Sequence, residues 1–223
     1  MTASKPPALS PTPEGLVLYS ADFRVKLALP TAQDDEPIAA LRSDPSVRKH
    51  MPFLPVLTKE DVALQREQRA QDPSILDVAV FVRDDDNLPE DDEVGEINYQ
   101  FAGVSGVFGM SEEHLACEAG IIIAPAFQGK GLTTPIFYTL FKYLFENKGI
   151  HRVLFETSAA NGAMIGWLEK VARARLEGER RQAWRSADEG WVDVKSFAIL
   201  EVEWKGRVKA ALEKKMGVKP ITW

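Results

Sequence analysis

One continuous segment constrains this chain more than any other. An apolar run from Leu115 to Ile123 meets Pro125, passes through Gly129-Lys130-Gly131, and enters a long amphipathic stretch. The run is short, rich in isoleucine and ended by a proline, which describes a buried strand rather than a helix. Beyond the turn, Leu132, Ile136, Leu140 and Leu144 recur at i, i+4, and Phe137, Phe141 and Phe145 widen the stripe. A helix with one broad apolar face must follow. Gly149 stands where a helix C-terminal glycine belongs.

A strand that turns through glycines straight into a helix N-terminus has a chemical consequence. Glycine lets the backbone turn sharply and approach a ligand closely. The free N–H groups of the helix start, with its dipole, favour anionic groups such as phosphates, and Lys130 adds a positive charge. Two known phosphate loops fit poorly. The G-x-x-x-x-G-K-[S/T] loop fails because Ala124 stands at its first glycine and Gly131 follows Lys130. A G-x-G-x-x-G turn fails because Thr134 occupies the third glycine position.

Around this segment the chain reads as a single mixed α/β unit. Short strands are expected at Leu16 to Tyr19 and Phe23 to Leu29, and a helix from about Asp34 to Arg42, ended by Asp44-Pro45. Thr58 suits the N-cap of a second helix reaching about Ala70. Strands follow at Asp77 to Val82 and Val94 to Phe101, joined by the acidic run Asp84 to Glu93, which reads as a solvated hairpin tip. After the long helix come a strand at Arg152 to Thr157, a helix from Asn161 to about Ala172, a strand at Trp191 to Val202, and a charged surface helix from Lys205 to Met216. The expected organisation is a mobile proline-rich tail over 1–14, a folded domain over 15–204 and a helical extension over 205–223.

Composition excludes several functions. The chain has 223 residues, 45% of them hydrophobic, enough for a sizeable core. A net charge of -6 without a basic stripe argues against nucleic acid and anionic lipid as partners. No apolar run approaches the roughly 20 residues that span a bilayer, and the N-terminus lacks the apolar core of a secretory signal. Cys117 is the single cysteine, so no internal disulfide forms. Together these predict a cytoplasmic protein.

Gln128-Gly129-Lys130-Gly131-Leu132-Thr133 resembles the pyrophosphate loop Q/R-x-x-G-x-G/A of the GNAT acetyltransferase superfamily, with Thr133 in place of the usual Gly or Ala. Glu118-Ala119-Gly120, Gly149-Ile150-His151-Arg152-Val153, Asn161 with Leu168-Glu169-Lys170, Leu176-Glu177-Gly178, Trp191-Val192-Asp193-Val194 and Leu41 to Arg48 are similar to its RimJ/RimL branch. The resemblance covers roughly residues 16 to 204. It implies a mostly antiparallel sheet, flanked by helices, that splays between the family's fourth and fifth strands. Acetyl-CoA would lie in that gap as co-substrate, with no metal. Backbone groups of Ile121, Ile122 and Ile123 would hold the pantetheine arm. Gln128, Gly129, Lys130, Gly131, Leu132 and Thr133 would hold the pyrophosphate, and Asn161 would contact the cofactor. The implied reaction moves an acetyl group to a primary amine, on a protein N-terminus or a small molecule. A catalytically weak CoA-binding module is the alternative, a longer acyl donor and a homodimer are compatible, and the sequence leaves the acceptor unidentified.

The chemistry needs a neutral amine. A lysine-like amine has a pKa near about 10.4 and an α-amine near about 8, so a base helps. Strand alternation puts Glu118 on the face of Gly120 and Ile122, and it is the candidate base, a cross-strand surface partner being the plainer reading. The N–H of Ile121 or Ile123 could stabilise the oxyanion. The acid departs from the family pattern: Leu168 stands where many relatives carry tyrosine and Met164 where the branch often carries serine, and neither donates a proton. Val171-Ala172-Arg173-Ala174 also lacks the glycine with which relatives stop the helix. Cys117 faces away from Glu118 and reads as a core thiol. His50, His114 and His151 read as loop or surface residues without metal-ligand spacing. Phe53, Trp167, Trp184 and Trp191 are candidates to line an acceptor pocket, core packing being the plainer reading for most.

Overall fold

A computed structural model of the chain describes residues 12–51, 53–84, 97–186 and 190–218. Its strands are β1 (Val17–Tyr19), β2 (Val25–Ala28), β3 (Leu76–Arg83), β4 (Tyr99–Ser111), β5 (Ala116–Ile123), β6 (Arg152–Ser158), β7 (Arg175–Ser186) and β8 (Gly190–Leu200). The helices are α1 (Asp35–Ser43), α2 (Pro45–Arg48), α3 (Lys59–Ala70), α4 (Thr133–Lys142), α5 (Gly162–Lys170), α6 (Glu201–Glu203) and α7 (Lys209–Met216). The described residues form one sheet in the order β1-β2-β3-β4-β5-β6-β8-β7. Every neighbouring pair is antiparallel except β5 with β6, so the mixed, mostly antiparallel α/β class expected from the sequence is found.

Local chemistry sets the elements. Thr58 caps α3 as expected: its hydroxyl accepts from the Asp61 N–H, and the Asp61 carboxylate accepts in return from the Thr58 N–H at 2.9 Å, a reciprocal capping box. Beyond α4 the helix widens, with the Lys148 N–H donating to the Tyr143 carbonyl five residues back at 3.0 Å. Gly149, at φ 70, then releases the chain into β6. At the end of α5 the missing glycine is replaced by Arg173 itself in the left-handed region, at φ 53. The Ala174 N–H returns to the Leu168 carbonyl at 2.8 Å, closing the helix as a glycine would.

Alternation along β5 divides the molecule into two faces. Cys117 and Ala119 are buried beneath α4, in a core with Phe137, Phe141, Phe155 and Trp204. Burial pushes the Cys117 thiol up to about 12, so it is an inert core residue. The opposite face carries a smaller cluster of Ile38, Ala39, Leu57 and Val62 from α1, α3 and the turn before α3, packed with Phe101 and Val104. The C-terminal helix is solvated on one side only. Trp204, Val208 and Leu212 are fully buried, and the Tyr138 hydroxyl of α4 donates to Glu213 at 2.8 Å.

Two strands differ most from the sequence reading. β4 extends to Ser111, ten residues past the expected end at Phe101, because Gly103, Gly106 and Gly109 interrupt the strand signal. β7 was not anticipated: its Arg175–Ser186 segment is mostly charged and polar, and it forms the sheet edge beside β8. The tail at 1–11, most of the acidic run and the expected strand start at Val94 lie outside the described residues. Among the described residues no helix is long and apolar enough to cross a membrane.

Candidate active site

The parallel pair β5/β6 is where the sheet opens. Its register covers only Ala116, Cys117 and Glu118 against Arg152, Val153 and Leu154. From Ala119 to Ile123, β5 keeps β4 as its neighbour, with Ile121 opposite Ser105 and Ile123 opposite Gly103. Beyond Leu154, β6 pairs with β8, from Phe155 opposite Phe197 to Ser158 opposite Val194. The two strands therefore diverge into a V. The Ala124 N–H donates to Ala102 of β4 at 2.9 Å. In an antiparallel ladder alternate residues point their N–H and C=O to opposite sides, so Ile121 and Ile123 turn theirs toward the gap, whereas Ile122, expected to hold the cofactor with them, turns its carbonyl to β4.

The turn into α4 follows β5 directly along the chain. Gly129 and Gly131 both sit at φ 73, and a Cβ built on either meets nothing within 4 Å, so the space before the turn is clear. Leu132 occupies the N-cap of α4 without a side-chain cap, leaving the first-turn N–H groups open. Its own side chain is 2% exposed and belongs to the core, so its part in any anion contact is through the backbone. The Gln128 Nε2 donates to the Ile123 carbonyl at 2.9 Å, bracing the turn against β5. The Lys130 carbonyl accepts from Arg24 at 2.9 Å, and its ammonium lies 5.1 Å from the Phe127 ring centroid. Thr133 opens α4.

Asn161 stands on the other wall, at the end of β6. Its Oδ1 accepts from the Met164 N–H at 3.2 Å, capping α5, and its Nδ2 donates to the Thr157 hydroxyl at 3.1 Å. Both of its polar atoms thus have partners within the protein. Leu168 is fully buried.

A cavity of about 370 Å³ lies against the opposite face of β3, β4 and β5, beneath α1 and α3. Glu118, Gly120 and Ile122 contribute to its wall, and so does Glu156 of β6. The Glu156 carboxylate accepts from Arg180 and, at 3.2 Å, from the Ser196 hydroxyl. Among the described residues Glu118 has no such partner. Burial foremost, and then the charge of Glu156, raise its pKa from the ordinary 4.5 to about 7, while Arg180 opposes the shift. A carboxylate titrating near neutrality in a cavity is suited to exchange protons with a ligand.

The mouth carries an aromatic pair. Phe53 and Trp184 meet edge to face at 4.8 Å between centroids and 71° between planes, and both line the cavity. Trp184 is aimed there by a slip in the β7/β8 register between Arg180 and Trp184, where Gln182 takes φ 53 and its N–H donates to Asp193 at 2.7 Å. Trp167 instead packs on Phe137 and donates to the Thr134 hydroxyl, and Trp191 is 60% exposed. Of the four aromatic candidates, Phe53 and Trp184 are cavity residues. Glu156, Arg180 and Arg42 were not singled out from sequence. Their signal is positional, since Glu156 meets Glu118 only through the β5/β6 register.

Comparison with known proteins accords with this geometry. Residues 24–172 match the family model of the acetyltransferase (GNAT) domain. A search of the curated proteins found no match. Among solved structures, an acetyltransferase of inferred activity is 25% identical with a TM-score of 0.71, over 93% of this chain and 96% of that one. A GCN5-related N-acetyltransferase from Brucella melitensis is 19% identical with a TM-score of 0.69, over 93% and 88%. A spermidine N-acetyltransferase from Vibrio cholerae, solved with CoA and spermine, is 17% identical with a TM-score of 0.70, over 82% and 99%. The last two likenesses concern the fold. With two thirds of the chain inside the family match and the splayed sheet in place, the chain belongs to the GNAT acetyltransferases and is an N-acetyltransferase.

Proposed function

We propose that this enzyme transfers acetyl from acetyl-CoA to a primary amine held in the cavity at Glu118. The observation that carries the reading is the meeting of three features: the unpaired edge of β5, the open glycine turn after it, and a cavity bearing a carboxylate poised near pH 7 on the same strand. The fit to acetyl-CoA rests on this chain's own groups. The gap-facing backbone of Ile121 and Ile123 suits an extended amide chain, and the first-turn N–H groups over Gly129 to Thr133 suit a pyrophosphate. Lys130 supplies charge. Asn161 holds the start of α5 in place at the far wall, and a cofactor contact there would add to its capping role.

When bound, acetyl-CoA supplies the activated acetyl group. Glu118, ionised, accepts a proton from the incoming ammonium, directly or through one water, and so delivers a neutral amine. The N–H of Ile121 or Ile123, facing the gap, would stabilise the developing oxyanion. Met164 and Leu168 supply no acid, so the second proton shed by the amine nitrogen as the amide forms would pass through water to the departing thiolate. A cavity of this size falls within the range of small-molecule sites, which supports a small amine over a protein N-terminus as acceptor. The motif pattern supports placement near the RimJ/RimL branch, and an unpaired Cys117 suits a cytoplasmic setting.

The test is thiol release from acetyl-CoA across a panel of amines and N-terminal peptides. Amine-dependent release is expected. Stoichiometric cofactor binding without release on any amine would replace the enzyme by a binding module.

A further inference from the structure

Three arginines line the cavity: Arg42 from α1, and Arg66 and Arg69 from α3. Two have carboxylate partners. Arg66 makes a bidentate pair with Asp35 at 2.8 and 3.0 Å. Arg69 makes another with Asp77 at 2.6 and 2.7 Å. Among the described residues Arg42 has no carboxylate of its own. Its Nη1 donates to the neutral Gln65 amide at 3.4 Å, and its Nε is buried without any partner. Among the described residues it is the one side chain with such a buried, unpartnered polar atom. Burial and the neighbouring Arg69 charge both work against its cation, and Asp77, already bonded to Arg69, offsets them only in part.

A partly buried guanidinium whose Nε is cut off from solvent and unpartnered is costly, and folding alone would favour an apolar residue there. The cavity provides the missing partner's place. A planar guanidinium is the side chain best matched to a carboxylate. The other end of the cavity has the opposite character, with Glu118 and Glu156 on its wall. Asp77, beside the Arg42 end, lies on β3, and Glu118 lies two strands away on β5. Asp77 is level with Gly120 through Gly106, and Glu118 lies two residues further along, so at about 4.8 Å between strands and about 3.4 Å per residue the two ends are roughly 12 Å apart.

Resting on the reading of this cavity as the acceptor site, we infer that the acceptor is a small amino carboxylate, whose amine reaches Glu118 while its carboxylate pairs with Arg42. The separation suits an amine and a carboxylate several atoms apart. A simple amine or polyamine leaves Arg42 uncompensated and brings a cation toward it.

Matched acceptors test this directly: 6-aminohexanoate against hexylamine, and lysine against cadaverine. Steady-state kinetics should favour the carboxylate member by at least ten-fold in kcat/KM, chiefly through KM. In Arg42→Gln, and in Arg42→Lys, which keeps the charge without the planar fork, the ratio should collapse toward one. Equal or better turnover of hexylamine and cadaverine by the unaltered enzyme would overturn the inference and leave acetyl transfer standing. So would an unchanged ratio in the Arg42 variants. Calorimetric titration with the same pairs separates the two claims. Carboxylate-dependent binding, lost in Arg42→Gln, with no turnover of any amine would support the anion site and overturn the acceptor chemistry instead.

Discussion

Glu118 is ordinary in sequence and unusual in place. It projects from a strand whose other face is core, into a cavity it shares with Glu156. Its facing could be read from alternation. Its perturbation could not, because Glu156, 38 positions away in the chain, reaches it only through the parallel register of β5 with β6. If Glu118 is the base, kcat/KM should rise with pH through about 7, the value to which burial and Glu156 bring it. Glu118→Gln should abolish that limb and lower kcat/KM by about 10²-fold or more. A pH–rate profile of both proteins decides the point. The same shift has a stability consequence. A carboxyl whose folded pKa lies above its ordinary 4.5 contributes stability below that value and loses it as pH rises to about 7. Thermal melts should therefore show the Gln variant gaining on the parent enzyme between those pH values and holding a constant advantage above them.

At the scale of elements, the glycines of β4 shape the site from behind. A Cβ on Gly103 would stand 2.1 Å from the Ile122 carbonyl oxygen, and one on Gly106 would stand 2.1 Å from that of Leu76. No side chain fits between these strands, so the backbones of β3, β4 and β5 sit closer than a Cβ allows. Gly103→Ala and Gly106→Ala should each destabilise the fold by about 1–3 kcal/mol or more, measured by denaturant unfolding. Gly103→Ala should also weaken acetyl-CoA binding, since its clash falls on the cofactor strand; wild-type stability in both would refute this packing. These glycines also hid the second half of β4 from the sequence reading, because they lower strand propensity where backbone approach, not propensity, decides. β7 was hidden differently. Its polar residues lie at a sheet edge, so little hydrophobic alternation marks it. With β7 went the aim of Trp184, which depends on a register slip.

Across the whole molecule, the parts legible from sequence were those fixed by local chemistry. The strand–turn–helix unit, the Thr58 N-cap and the amphipathic α4 all follow from residues a few positions apart. The parts that were not legible depend on long-range placement: the Glu118–Glu156 neighbourhood, the arginine cluster between α1 and α3, and the seating of the C-terminal helix on α4. That helix carries charge on its outer side, but Trp204 stacks on Phe145 and its indole N–H donates to Glu146 at 2.9 Å, tying the chain's end to the helix that follows the glycine turn. The central claim is that the sheet's splay and this turn together form an acetyl-CoA site. Calorimetric titration of the protein with acetyl-CoA, beside a folded Gly131→Trp variant, tests it most directly. Gly131 faces clear space, so an indole there would occupy the volume assigned to the pyrophosphate. One site per chain with micromolar affinity is expected, lost in the variant. Equal binding by both proteins, or none by either, would contradict it.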